Sequence, residues 1–390
     1  MKKFCHDQKL IGGKIVKKNI RKLLLFLLML VMAQPFYILN AKEKVERYVE
    51  DEGGCFRRRT KFGVLASKVK DVKKGTNDAY QATSVFVSQK EGSYRMIDFT
   101  KKRDKSHSIR YRNVSIGTDI VDFVPISATR GIYRDKSGKI KENGTGRVDP
   151  LLPSEDRKKV KKYWGNETML AYVSDHTLKI RWENDRKVRK YFKGEADKIK
   201  KVVAGNYQYT PYNVFVLMKD GSVWGVGHNQ YHMISNDSKK KYTGFQKIIP
   251  DGVKDISASA GNVAVLKSDQ SLWIWGRYRS GKTDKSSATP QKIDENVKSF
   301  DMCQEIGGYP ETILSYVKES GEAYGWGTNR DYSMSDAYKS KWQNKPVKLK
   351  EKISRVVVTE GMILLLTEDH VLYWCGTFYG EPATTSFPVK

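Results

Sequence analysis

Four stretches in the second half of the chain repeat one arrangement of apolar and polar positions. They are "NVFVLMKDGSVWGVG" (213–227), "NVAVLKSDQSLWIWG" (262–276), "ILSYVKESGEAYGWG" (313–327) and "MILLLTEDHVLYWCG" (362–376). Two β-branched or aromatic runs around a short polar turn predict a β-hairpin. The last turn residue needs positive φ, which Gly221 and Gly321 supply freely, His370 at modest cost and Gln270 less well. Alternation along a strand places Trp224, Trp273, Tyr324 and Tyr373 on one face with Val226, Trp275 and Trp326 two residues on. Rings of that size fill the ~10 Å between stacked sheets. Inter-sheet packing is therefore the reading for these aromatics, with an exposed carbohydrate-stacking pair as the alternative. The closing glycines, Gly227, Gly276, Gly327 and Gly376, mark where backbones converge.

These glycines are 49, 51 and 49 residues apart, and a fixed period in that range indicates a repeat array. Weaker copies lie upstream in "VFVSQKEGSYRMI" (85–97), "GIYRDKSGKIKENG" (131–144) and "LAYVSDHTLKIRW" (170–182). Their turn anchors, Gly92, Gly138 and His176, bring the count to seven units. Each unit has a lead-in strand, such as "VKDVKKG", "IKKVVAG", "VKDISASAG", "VKSFDMC" or "ISRVVVTEG". An open stack would leave sheet edges unpaired. The final "SFPVK" (386–390) reads as the start of a unit that "VKDVKKG" (69–75) continues. The C-terminal strand is thus expected to complete the first unit and close a ring.

"VLMKDGSVWGVGHNQ" and "YGWGTNR", with Asn229 and Asn329, resemble the repeat of the regulator of chromosome condensation family. The match is strong over about residues 198–380 and weak over 66–197; the family's second motif, "GQLG", is missing, and His232 stands where its first glycine would fall. The resemblance implies an all-β, seven-bladed β-propeller with blades of about four strands. The family includes a nuclear exchange factor for a small GTPase and secreted bacterial inhibitors of β-lactamases. An export signal favours the bacterial secreted type.

That signal is the N-terminus. Eight lysines and arginines within residues 2–22 precede "LLLFLLMLVMA" (23–33) and small residues at Ala33 and Ala41. This fits a cleaved secretory signal, an uncleaved membrane anchor with its N-terminus inside, or a buried helix. The expected organisation is a signal or anchor at 1–41, a linker at 42–65 and the propeller at 66–390, with blades 1–3 degenerate and an extracytoplasmic location.

The formal charge of +27 divides unevenly: about +7 in residues 1–40, +17 in 41–205 and +3 in 206–390. The basic stretches "FRRRTK" (Arg57, Arg58, Arg59), "KKRDK" (Lys101, Lys102, Arg103), "RKKVKK" (Lys158, Lys159, Lys161, Lys162) and "RKVRK" (Arg186, Lys187, Arg189, Lys190) would sit in the first three blades. They read as solvated surface or as one positive arc that binds anions. Tyr111, Tyr133, Tyr163, Trp164 and Tyr191 could add stacking. Candidate partners are a protein or an anionic envelope polymer, with membrane contact only through the N-terminal segment; export argues against nucleic acid.

Catalytic and cofactor motifs are sparse. "GRYRSGKT" (276–283) contains SGKT without the phosphate-loop glycine and reads as an inter-blade loop. His228 and His232 are four apart, but no third ligand accompanies them and no HExxH occurs. Cys5, Cys55, Cys303 and Cys375 suit neither a zinc module nor a disulfide framework, although Cys303–Cys375 or Cys55–Cys375 pairing stays open. The leading expectation is a non-catalytic propeller without cofactor or metal that binds a macromolecule; a propeller hydrolase is held in reserve.

Overall fold

The computed structural model describes residues 49–379 apart from 51–55, 78–81, 98–110, 113–118, 127–130, 144–151, 167–168, 183–184, 206–212, 260, 281–282 and 305–311. The N-terminal apolar segment, Cys5, Cys55, Lys101–Arg103 and Ser386–Lys390 lie outside the described residues.

Seven antiparallel sheets follow one another along the chain. Blade 4 shows the plan: Ile199–Gly205 innermost, then Asn213–Met218, Val223–His228 and Lys241–Ile249 outermost. The second strand of a blade is buried along most or all of its length, as in Asn213–Met218 and Met362–Thr367. A neighbouring blade covers each of its faces, so its sequence is a continuous apolar run rather than an alternating one. The outermost strands instead carry lysines such as Lys241, Lys247, Lys345 and Lys348, which keep an edge from pairing with other chains.

There are seven apolar cores, one between each pair of consecutive blades. Trp275 is 1% exposed between blades 4 and 5, and Trp326 is 3% exposed between blades 5 and 6. Each such ring contributes about 3 kcal/mol on leaving water. The core between blades 7 and 1 joins Leu364, Leu372 and Trp374 to Val69, Val72 and Val85, so the sheets form a closed ring.

The ring closes from the opposite end of the chain to the one expected. Phe56–Ala66 pairs antiparallel with Leu372–Tyr379 as the outer strand of blade 7, with Arg59 opposite Gly376, Gly63 opposite Trp374 and Ala66 opposite Leu372. Val49–Glu50 pairs outside it. Blade 1 already has four strands from residues 71–112, which leaves no place there for a C-terminal strand. The stretch assigned to a linker up to residue 65 therefore contains a blade strand. Its three arginines hid the pattern, although Leu65 and Ala66 at its end are buried in the core between blades 7 and 1. Blade 2 shows three strands among the described residues. A single helical turn, Ser154–Arg157, lies between it and blade 3.

Candidate functional site

All seven turn anchors take positive φ. Gly92, Gly138, Gly221 and Gly321 lie between 75° and 82°, His176 at 54°, Gln270 at 67° and His370 at 66°. The reason Gln270 accepts this conformation is the bond its carbonyl makes. It receives the backbone N–H of Val297 at 2.9 Å, the first buried residue of the next inner strand. The same bond runs from Ile120 to Gly92 (3.0 Å), Val253 to Gly221 (3.1 Å), Ile353 to Gly321 (2.8 Å) and Val69 to His370 (2.9 Å). Five of the seven turns are thus locked to the following blade. The face that carries the turns is rigid, and it surrounds the starts of the inner strands.

Charges on the inner strands are paired from blade to blade. Arg355 of blade 7 pairs with Asp71 of blade 1, and Lys201 of blade 4 with Asp255 of blade 5 at 2.8 Å. Lys74 of blade 1 reaches the Asp301 carboxylate of blade 6 at 2.8 and 2.9 Å and the Val358 carbonyl of blade 7 at 2.7 Å. Asp301 also accepts the Val358 N–H at 2.8 Å. Burial pushes the Lys74 ammonium down, but the Asp301 charge outweighs it and holds the group above the ordinary lysine value. Three blades are fastened across the seam by this one cation.

The basic stretches separate. Arg57, Arg58 and Arg59 belong to the outer strand of blade 7 rather than to blade 1. The Arg59 side chain folds back over Gly63, and its Nε donates to the Lys61 carbonyl at 3.0 Å. Lys158, Lys159 and Lys161 are exposed beside the turn face of blade 3; Lys159 pairs with Asp175 at 3.1 Å and Lys161 with Asp197 at 3.6 Å. Lys162 turns inward to the Asp197 carbonyl at 3.1 Å, and burial followed by repulsion from Lys219 lowers its pKa. Arg186, Lys187, Arg189 and Lys190 lie on the outer strand Asp185–Tyr191, where Lys187 and Lys190 are exposed. Two stretches therefore meet on blade 3 and a third sits on blade 7. Of the interleaved aromatics, Tyr133 and Tyr163 are buried. Trp164 and Tyr191 are half-buried, and Tyr111 lies on the outer strand of blade 1.

The repeat aromatics divide into two classes. Trp275 and Trp326 are in the cores, whereas Trp224, Trp273, Tyr324 and Tyr373 are half-buried beneath lysines. Lys247 lies 5.1 Å from the Trp224 ring, Lys267 4.6 Å from Trp273, Lys318 5.1 Å from Tyr324 and Lys350 4.3 Å from Tyr373. In blades 4 and 5 the indole N–H donates to Ser222 (3.1 Å) or Ser271 (2.7 Å), whose hydroxyl donates to Asp220 or Asp269. Those serine hydrogen bonds hold both carboxyls below the usual range. Gly227, Gly276, Gly327 and Gly376 all have positive φ near the close approaches of the backbone. A Cβ at Gly276 would meet the Gly261 carbonyl at 2.2 Å.

Sequence reasoning missed Asp156. Its carboxylate is buried, accepts Tyr172 and Ser174 hydroxyls at 2.8 Å each, and pairs with Lys179. Burial alone would raise its pKa, but Lys179 and the two hydroxyls hold it low. The node ties the helical turn to blade 3.

Other expectations fall as follows. Gly276–Ser280 continues the strand Leu272–Ser280 and is not an inter-blade loop. His228 ends a blade 4 strand, where burial and Lys241 lower its pKa, and His232 contacts Ser286 at 3.1 Å. No disulfide joins Cys303 to Cys375, and burial pushes the Cys375 thiol up to about 12. Among the described residues no three His, Cys, Asp or Glu converge as metal ligands, and no helix is long and apolar enough to cross a membrane.

No family model matches the chain. Solved structures do. Human WBSCR16 superposes with a TM-score of 0.53 at 13% identity, over 82% of this chain and 89% of that one. Prp20p, the RCC1 of Saccharomyces cerevisiae, gives 0.52 at 12% identity over 81% and 93%. The CRINKLY WD40 ectodomain of the Arabidopsis thaliana receptor kinase ACR4 gives 0.50 at 11% identity over 82% and 98%. The fold is shared with RCC1. At these identities the likeness is one of architecture, the level at which the repeats pointed to it.

Proposed function

We propose that this chain is an exported, non-catalytic propeller that binds a protein partner through its turn face. The observation that carries the reading is the lock between five of the seven turns and the next blade, which holds that face in place before any partner arrives. A surface held in this way binds without the cost of ordering its loops. The half-buried inner-strand pairs Lys74–Asp301, Lys201–Asp255 and Arg355–Asp71 fit the same reading, because they are matched to one another across blades instead of being poised for proton transfer. Prp20p, of like fold, is described by its binding to Gsp1p and histones, and Kap60 binds it too. The basic and then apolar N-terminus supports export, in the manner of the bacterial secreted propellers.

The test is photo-crosslinking in the source cell with a benzophenone amino acid at Lys90 and Glu319, both on exposed turns, and at Gln246 on an outer strand. A discrete protein adduct is expected from the turns alone, persisting at about 0.5 M salt, where surface charge is screened within a few ångströms. Loss of the partner at that salt, with an anionic envelope polymer recovered instead, would favour electrostatic binding of polymer. Equal adducts from all three positions would defeat the turn-face reading.

A further inference from the structure

On the turn face, the inner strands place one equivalent residue each around the axis. It follows the first buried apolar residue in the strand or just ahead of it: Val69, Val160, Ile199, Val253 and Val297 are followed by Lys70, Lys161, Lys200, Lys254 and Lys298. In the other two blades the position holds Val121 and Ser354. At the chain's frequency of 71 lysines and arginines in 390 residues, about one of seven such positions would be cationic. Five are, and all five are exposed.

The backbone explains how they are presented. The pairing register shifts between Ile199 and Lys201, Val253 and Asp255, and Val297 and Ser299. Lys200, Lys254 and Lys298 are therefore bulge residues, free of the ladder and aimed outward. The Lys200 ammonium rests on the Lys254 carbonyl of the next blade at 2.7 Å, so the side chains run around the ring. No ion pair engages the ammonium of Lys70, Lys254 or Lys298 among the described residues. One residue further along, the charges are matched, as in Arg355 with Asp71 and Lys201 with Asp255. Within the first set Lys161 pairs with Asp197 and Lys200 meets a backbone carbonyl, whereas Lys70, Lys254 and Lys298 make no ion pair among the described residues. Like charges gathered about one axis repel and weaken the compact state.

We propose that this lysine ring receives an extended acidic segment of the protein partner, its aspartate and glutamate carboxylates meeting the ammonium groups about the axis. The inference rests on the turn-face reading above and names the chemistry of what that face recognises. One observation favours a peptide over a broad polyanion. Val121, 64% exposed within the ring, offers contact to an apolar side chain, which a polyphosphate lacks.

The experiment titrates the full chain into a fluorescein-labelled decapeptide of alternating glutamate and leucine and reads anisotropy. The variant K70E/K254E/K298E is expected to lose at least thirty-fold in affinity and K70Q/K254Q/K298Q at least ten-fold, with unfolding midpoints no lower than the parent's. The variant K239E/K341E/K345E makes the same charge change at exposed lysines away from the ring; a loss below three-fold is expected. Equal loss in the two reversal variants, or none in either, overturns the proposal. So does tighter binding of a ten-nucleotide single-stranded DNA or of polyphosphate than of the peptide. If the peptide fails while a protein still crosslinks at the turns, this inference falls and the binding reading stands.

Discussion

Gly276 and Asp156 mark two extremes of what a single residue can reveal. Gly276 has φ 102° and no room for a Cβ beside the Gly261 carbonyl. Gly276→Ala should cost about 3 kcal/mol of stability in a denaturant titration, from backbone strain and the clash together. That glycine was legible, because it ends each repeat where two strands must approach. Asp156 was not: Tyr172, Ser174 and Lys179 come from two strands of blade 3, and nothing in local spacing announces that they meet around one carboxylate. Asp156→Asn leaves Lys179 buried without its counter-charge, so a loss of about 3 kcal/mol at neutral pH is expected. The folded-state pKa of Asp156 lies below its unfolded value, so its stabilisation is complete above about pH 4 and fades as pH falls through the folded pKa. The variant's stability should therefore vary less with pH below about 4 than that of the parent, as measured by urea midpoints.

At the scale of the element, hairpins were readable wherever apolar runs flank a turn that needs positive φ. The outer strands were harder. One of their faces looks to solvent, and their lysines and arginines imitate loop or linker sequence. Phe56–Ala66 is the extreme case, since its place depends on Leu372–Tyr379, far along the chain. A chain that begins at Lys68 should leave that partner strand as an open edge. Hydrogen exchange at Trp374 and Gly376 is expected to rise at least ten-fold, while blades 3 to 5 keep most of their protection.

For the molecule as a whole, the repeat period carried the blade number, and counting anchors sufficed. The electrostatic layout was less accessible. Chain order placed the positive field in the first three blades, yet the arginine strand belongs to blade 7, and the exposed lysines about the axis are contributed one at a time by separate blades. Only the ring brings them together. Its integrity should depend on the seam cation: Lys74→Ala is expected to lower stability by about 1–2 kcal/mol, a moderate figure because the pair is 29% and 21% exposed. Unfolding should stay a single transition by fluorescence and far-ultraviolet dichroism, since every core is shared by two blades.

Borrowing the outer strand of blade 7 from the front of the sequence also orders events during synthesis. A ribosome makes the clasp first and the hairpin that it fastens about 300 residues later. Every shorter nascent chain is an unlatched arc with a waiting basic strand. The finished circle exists only after the final hairpin emerges.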